Sequence, residues 1–172
     1  MAFRVSADEF GRAPQRETRN AKRETFMVTI RNATEADLDE TLRLIESLGY
    51  PGLDRDSFTR AFTAVLNHPE MILLLAEDSH GRAIGLASIS HRPQLRLAGI
   101  LVSLDELVVA DEARGQGVGR ALLDQVKSIA KKLGACRLEL ETNRARVSYQ
   151  RSFYLKNGFV EVNSAVLRFQ ED

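Results

Sequence analysis

Between Leu107 and Arg120 the chain reads Leu-Val-Val-Ala-Asp-Glu-Ala-Arg-Gly-Gln-Gly-Val-Gly-Arg. A strand ends in a short acidic turn, and Gly115, Gly117 and Gly119 open a helix. Glycines let backbone amides turn towards a ligand with no side chain in the way. The first N–H groups of a helix lack intrahelical partners, and its dipole favours negative charge there. Arg114 and Arg120 add fixed positive charge. The expected guest is a phosphate or pyrophosphate; the alternative is a glycine-rich connection that holds nothing. No G-x-x-x-x-G-K-[ST] string is present, so a nucleotide P-loop is unsupported. The spacing G-x-G-x-x-G also fails, because Arg120 stands three places after Gly117. An acid further on, Glu139 or Glu141, keeps a dinucleotide site in play. His68, His80 and His91 show no metal-ligand spacing and read as loop and turn surface. Cys136 opens a strand and reads as a small buried residue rather than a nucleophile.

The glycine turn needs a strand before it and a helix after it. Gly99 to Val109 reads as the strand. Val118, Leu122, Val126, Ile129 and Leu133 mark the apolar face of the helix, and Gly134 ends it. Upstream, Val28 to Arg31 reads as a short strand. Thr34 can cap a helix carrying Leu38, Leu42, Ile45 and Leu48, stopped by Gly49 and Pro51. A second helix is expected from about Arg55 to Leu66, with Phe58 and Phe62 on its apolar face. Met71 to Glu77 and Ala83 to Ser90 read as a hairpin around Asp78-Ser79-His80-Gly81. His91 to Ala98, which contains Pro93, reads as a loop. No helix separates these three strands, so that part of the sheet should be antiparallel. Arg137 to Glu141 reads as a strand and Ser148 to Lys156 as a short helix. Phe159 to Val162 and Val166 to Phe169 read as a final hairpin. The order predicts an α/β (α+β) fold: a single mixed, mostly antiparallel sheet with helices on both faces.

The chain has 172 residues, ample for one domain. Lys and Arg total 24, as do Asp and Glu, so the formal net charge is zero. That argues against a broad nucleic-acid surface, which needs a basic footprint. One cysteine excludes an intramolecular disulfide framework and fits a reducing cytoplasm. The longest apolar run, Met71 to Ala76, is too short to cross a bilayer. Residues 1–26 mix basic and acidic side chains with no sustained apolar period. They are expected to be a disordered extension, with the folded domain spanning 27–172.

The string Arg114-Gly115-Gln116-Gly117-Val118-Gly119 resembles the R-x-x-G-x-G/A signature of the GNAT superfamily of acyl-CoA-dependent N-acyltransferases. Ala121-Leu122-Leu123 after it and Leu107-Val108-Val109 before it match too. Phe153-Tyr154-Leu155-Lys156-Asn157-Gly158-Phe159 resembles the family's F-Y-x-x-x-G-F segment. The resemblance runs over roughly residues 27 to 170. It implies that the fourth and fifth strands splay apart and that pantetheine inserts between them. Backbone groups of Leu107 and Val109, with Val108 between, would then meet pantetheine. Amides of Gln116, Gly117, Gly119 and Arg120, with Arg114, Gly115 and Val118 around them, would hold the pyrophosphate. Asn143 is a further candidate cofactor contact.

The reaction implied is direct acetyl transfer from acetyl-CoA, a cosubstrate, to a primary amine of a small molecule or protein, with no metal. The alternative is a non-catalytic acyl-CoA-binding sensor. The amine must lose a proton to attack, a developing oxyanion needs a donor such as the Val109 amide, and the departing thiolate benefits from a proton. Tyr154 aligns with the family's usual proton donor. Asp105 and Glu106 are the candidate bases. Glu106 is preferred because alternation places it on a face with Leu104 and Val108. Arg144 and Arg146 could contact the adenosine phosphate or an acidic acceptor, or form a solvated loop face. Phe58 and Phe62 read as core, and Tyr50 as the better acceptor-side candidate. The amine acceptor is the expected partner, with no nucleic acid and no membrane; a homodimer is compatible with the resemblance.

Overall fold

The computed structural model describes residues 27–170, so the extension expected over 1–26 lies outside the described residues. Strand β1 (Thr29–Asn32) leads through a short 3-10 turn (Glu35–Asp37) into α1 (Leu38–Ser47). Asp37 ties this entry together. Its carboxylate accepts from the Thr34 N–H at 2.7 Å and from both outer nitrogens of Arg31 at 2.7 Å. Arg31 also reaches Glu77 across the first strand pair, Nε to Oε1 at 2.8 Å. Helix α2 (Arg55–Asn67) starts at Asp54, whose side chain accepts from the Ser57 N–H at 2.8 Å, a standard N-terminal cap.

Then β2 (Met71–Glu77), β3 (Ala83–Gln94) and β4 (Gly99–Val109) follow as a meander. Helix α3 (Val118–Lys132) crosses back to β5 (Arg137–Leu140), which pairs with β4 in parallel. Five strands run in the order β1-β2-β3-β4-β5, antiparallel except for the last pair. This is the expected mixed, mostly antiparallel sheet.

Successive residues of β3 face opposite layers. A Cβ on Gly85 would stand 3.0 Å from Val118 and 3.1 Å from Leu122 of α3, so glycine lets that helix sit close. On the other face Leu86 and Ser88 share a cleft wall with Phe58 and Phe62 of α2. Leu44, Leu74, Leu75, Leu86, Ile89, Leu122 and Val126 are fully buried between these layers. Taking their apolar surface out of water is the main force that holds the layers together.

Four expectations need correction. Strand β3 runs on through Pro93 to Gln94, where a loop is expected. The β2 ladder stops at Ser90, so beyond it β3 has one open side and the missing Pro93 N–H forfeits no bond. The helix expected over Ser148 to Lys156 is two short turns, α4 (Val147–Gln150) and α5 (Phe153–Lys156), separated by Ser152 at φ 55°. The final hairpin does not form: residues 159–170 carry no strand. Alternation supplies strand propensity, but a strand also needs an edge to pair with, and this segment finds none among the described residues. Cys136 is exposed rather than buried. It lies at the end of the sheet, where its N–H donates to Ile100 O at 3.0 Å.

Candidate active site

The β4–β5 ladder joins Leu101–Leu104 to Arg137–Leu140 and then ends. Beyond it, Asp105–Val109 of β4 has no strand on that side among the described residues. Ala110 N–H donates to Ile84 O of β3 at 2.9 Å. By strand alternation the N–H and C=O of Val109, and of Leu107 before it, face the opposite, open edge. Val109 C=O there accepts from Arg114 Nε at 3.2 Å.

The gap opens into a cleft of about 1150 Å³. One end is the glycine turn. Gly115 and Gly117 have φ of 79° and 91°, the left-handed region that side chains disfavour. Nothing lies within 4 Å of a Cβ built on either, so the requirement is conformational rather than spatial. Gly117 caps α3, and its carbonyl accepts the Ala121 N–H at 3.0 Å. The N–H groups of Val118, Gly119 and Arg120 therefore stand at the helix mouth without intrahelical partners. Leu107, Val108, Val109, Arg114, Gly115, Gly117, Val118, Gly119, Arg120 and Asn143 all line the cleft. Gln116 does not line it; its side chain folds back to Glu112 O at 2.8 Å. Asn143 Oδ1 is occupied by the Ala145 N–H at 2.8 Å, closing the turn after β5.

Tyr154 and Glu106 both line the same cleft. Tyr154 is wedged edge-on between Phe153 and Phe159, with ring centres 5.2 and 6.1 Å away. Burial pushes its phenol above the usual value, and the charge of Arg146 pulls it back down. Burial likewise raises the Glu106 carboxyl above the usual carboxylate range. The Ser88 hydroxyl lowers it, and neighbouring Asp105 raises it. A carboxyl poised upward can accept a proton nearer neutral pH than an exposed one.

The face argument for Glu106 needs one correction. The β3–β4 register pairs Ser88 with Glu106 and Ile89 with Leu104, leaving Asp105 as a bulge. Directly paired residues share a face. Glu106 therefore stays with Ser88 and Val108, while the Leu104 side chain shares a face with Ile89, although Leu104 too borders the cleft. Asp105 lines the cleft but is exposed.

Tyr50, Phe58 and Phe62 also line the cleft, whereas His68, His80, His91, Cys136 and Arg144 do not. Among the described residues no group of three or more His, Cys, Asp or Glu could hold a metal ion. Two floor residues escape a sequence reading. Thr41 of α1 is 3 % exposed, and its hydroxyl has no hydrogen-bond partner among the described residues. Ser88 is 4 % exposed within an apolar strand. The signal for Thr41 was its helical spacing from Leu44, Ile45 and Leu48. For Ser88 it was a lone hydroxyl in an apolar run.

Comparison with known proteins bears on this geometry. The family model described as the acetyltransferase (GNAT) family matches residues 33–159. An aminoalkylphosphonate N-acetyltransferase from Salmonella typhimurium is 35% identical over 130 residues, covering 76% of this chain and 83% of the relative. A putative acetyltransferase from Agrobacterium tumefaciens has a similar structure, with TM-score 0.74 and 25% identity over 83% of this chain and 99% of its own. An aminoglycoside N-acetyltransferase solved in complex with CoA shares the fold, with TM-score 0.73 and 20% identity over 86% of this chain and 97% of its own.

Proposed function

The chain belongs to the GNAT acetyltransferase family and is an acyltransferase that moves an acetyl group from acetyl-CoA to an amine; from that premise we propose that its acceptor is a primary amine of a small molecule and that the cleft beside β4 is where transfer occurs. The observation that carries the site is the open edge of β4 running into the glycine mouth of α3. The Salmonella relative's name, which specifies an aminoalkylphosphonate, supports a small acceptor.

Acetyl-CoA supplies the acetyl group activated as a thioester. The amides of Gly117, Val118, Gly119 and Arg120 would hold its pyrophosphate, with the amide of Gln116 beside them. The open backbone groups of Leu107 and the N–H of Val109 would align its extended arm. The amine nitrogen attacks the carbonyl carbon; a C–N bond forms and the C–S bond breaks. Glu106 takes the proton released from nitrogen, directly or through one water. The Val109 N–H, on the open edge, donates to the carbonyl oxygen as charge builds on it. Tyr154 gives its phenolic proton to the departing sulfur and regains one from solvent. An exposed free cysteine and the need for acetyl-CoA support a cytoplasmic setting.

Thiol release across a panel of small amines, with calorimetry of acetyl-CoA binding, tests the reading. Turnover with at least one small amine supports it. Tight acetyl-CoA binding with silence across the panel overturns the small-molecule acceptor.

A further inference from the structure

Arg144 and Arg146 lie two residues apart and end in different places. Arg144 is exposed and pairs with Glu161, away from the cleft. Arg146 turns into the cleft and is half-buried. Its Nη1 donates to Leu48 O at 2.7 Å. Leu48 ends α1, just before the Gly49-Tyr50-Pro51 connection to α2, and both Leu48 and Tyr50 line the cleft.

A guanidinium carries five N–H donors in a planar fork. The Leu48 carbonyl uses one edge, and no carboxylate among the described residues pairs with Arg146. A cation withdrawn from water without a counter-charge is costly, so this arrangement favours an anion in the cleft. The other cations there differ. Arg151 and Lys156 are exposed, and Arg168 is exposed and tied to Glu141 at 3.1 Å. Arg114 pairs with Asp111, and Arg120 leans towards Asp124, both at the glycine end.

We propose that Arg146 determines acceptor specificity: its free guanidinium edge binds an oxyanion group, such as phosphonate, phosphate or carboxylate, carried by the acceptor amine. This rests on the cleft being the transfer site. The Leu48 bond fixes the plane of the fork, as two-point recognition of an oxyanion requires. Arg146 lines the same cleft as Tyr154 and Glu106, so an anion held on its fork shares a compartment with the reacting groups. Arg146 thus orients the acceptor by one end while Glu106 receives the proton from the other.

The test compares 2-aminoethylphosphonate with neutral ethanolamine on the wild-type enzyme, Arg146→Gln and Arg146→Lys. Wild type should show the higher kcat/KM with the phosphonate. Arg146→Gln should reduce the phosphonate-to-ethanolamine ratio of kcat/KM about 30-fold, mainly through KM, as loss of a charge-assisted contact requires. Arg146→Lys, which keeps the charge but not the fork, should recover part of that ratio. Calorimetry should give the same acetyl-CoA affinity for all three. An unchanged ratio, or equal losses with both amines, overturns the proposal. So does a loss confined to acetyl-CoA affinity, which would assign Arg146 to the nucleotide. Wild-type enzyme silent with every amine overturns the transfer site itself, a result distinct from turnover without preference for the anion.

Discussion

Glu106 and Tyr154 have raised protonation equilibria because the cleft withdraws them from water, and each has a measurable consequence. For Glu106 the folded-state pKa lies above its unfolded value, so ionising the carboxyl opposes folding. That opposition is absent below the unfolded pKa, near 4.3, and fully present above the folded one. Glu106→Gln should therefore raise the melting temperature at pH 7 while lowering kcat about 100-fold or more. Scanning calorimetry and a turnover assay on the same sample check both halves. The acidic limb of the wild-type kcat/KM profile should fall above the ordinary glutamate value and vanish in the variant. Tyr154→Phe should lower kcat by roughly 100-fold and leave the acetyl-CoA dissociation constant unchanged, since only a proton is removed from the reaction.

Elements hold these residues, and two joints are testable. Gly117→Ala must place a side chain at φ 91°, which costs on the order of 1–3 kcal/mol where the loop cannot relax. With open space around the added methyl, the loss should appear as weaker acetyl-CoA binding by calorimetry rather than as a packing defect. The second joint is the Arg31–Asp37–Glu77 network between β1, the start of α1 and β2. Asp37 is 8 % exposed, and Arg31 holds its carboxyl well below the usual range. A depressed carboxyl stabilises the fold above its unfolded pKa and loses that contribution as pH falls towards the folded one. Asp37→Asn should cost about 2 kcal/mol at pH 7, and progressively less in urea melts as pH drops below about 4.

Elements were legible where local pattern and neighbours agree. Met71–Glu77 and Gly99–Val109 read to the residue because an apolar run bounded by turns has one solution. The glycine turn was legible as a strand-to-helix joint, because Gly115 and Gly117 take the positive φ that other residues disfavour just before α3. The closing hairpin misread because alternation at residues 159–170 says nothing about an edge to pair with. The face of Leu104 misread because a bulge at Asp105 has no sequence signature. The fork of Arg146 depended on a contact to Leu48, far away in the chain.

At the scale of the molecule, the cleft divides an α1–α2 side from an α3–α5 side, and they meet where Arg146 reaches Leu48. Lys127 fastens α3 to the turn after α5 through Asn157 O at 2.6 Å. No helix among the described residues is long and apolar enough to cross a membrane. A ligand that bridges such a cleft should stabilise the whole fold by mass action. At one hundred times its dissociation constant, acetyl-CoA should add about 2.7 kcal/mol, or roughly 5–10 °C in a thermal melt. Free CoA should act similarly, and propylamine alone should not.

The unfilled side of β4 has one more consequence. A guest that completes a sheet through peptide groups reads the chain's path, not its lettering. Side chains at 107 and 109 are then free to drift among valine, isoleucine and leucine without altering donor recognition. Proline at either position, by deleting the amide, should abolish it.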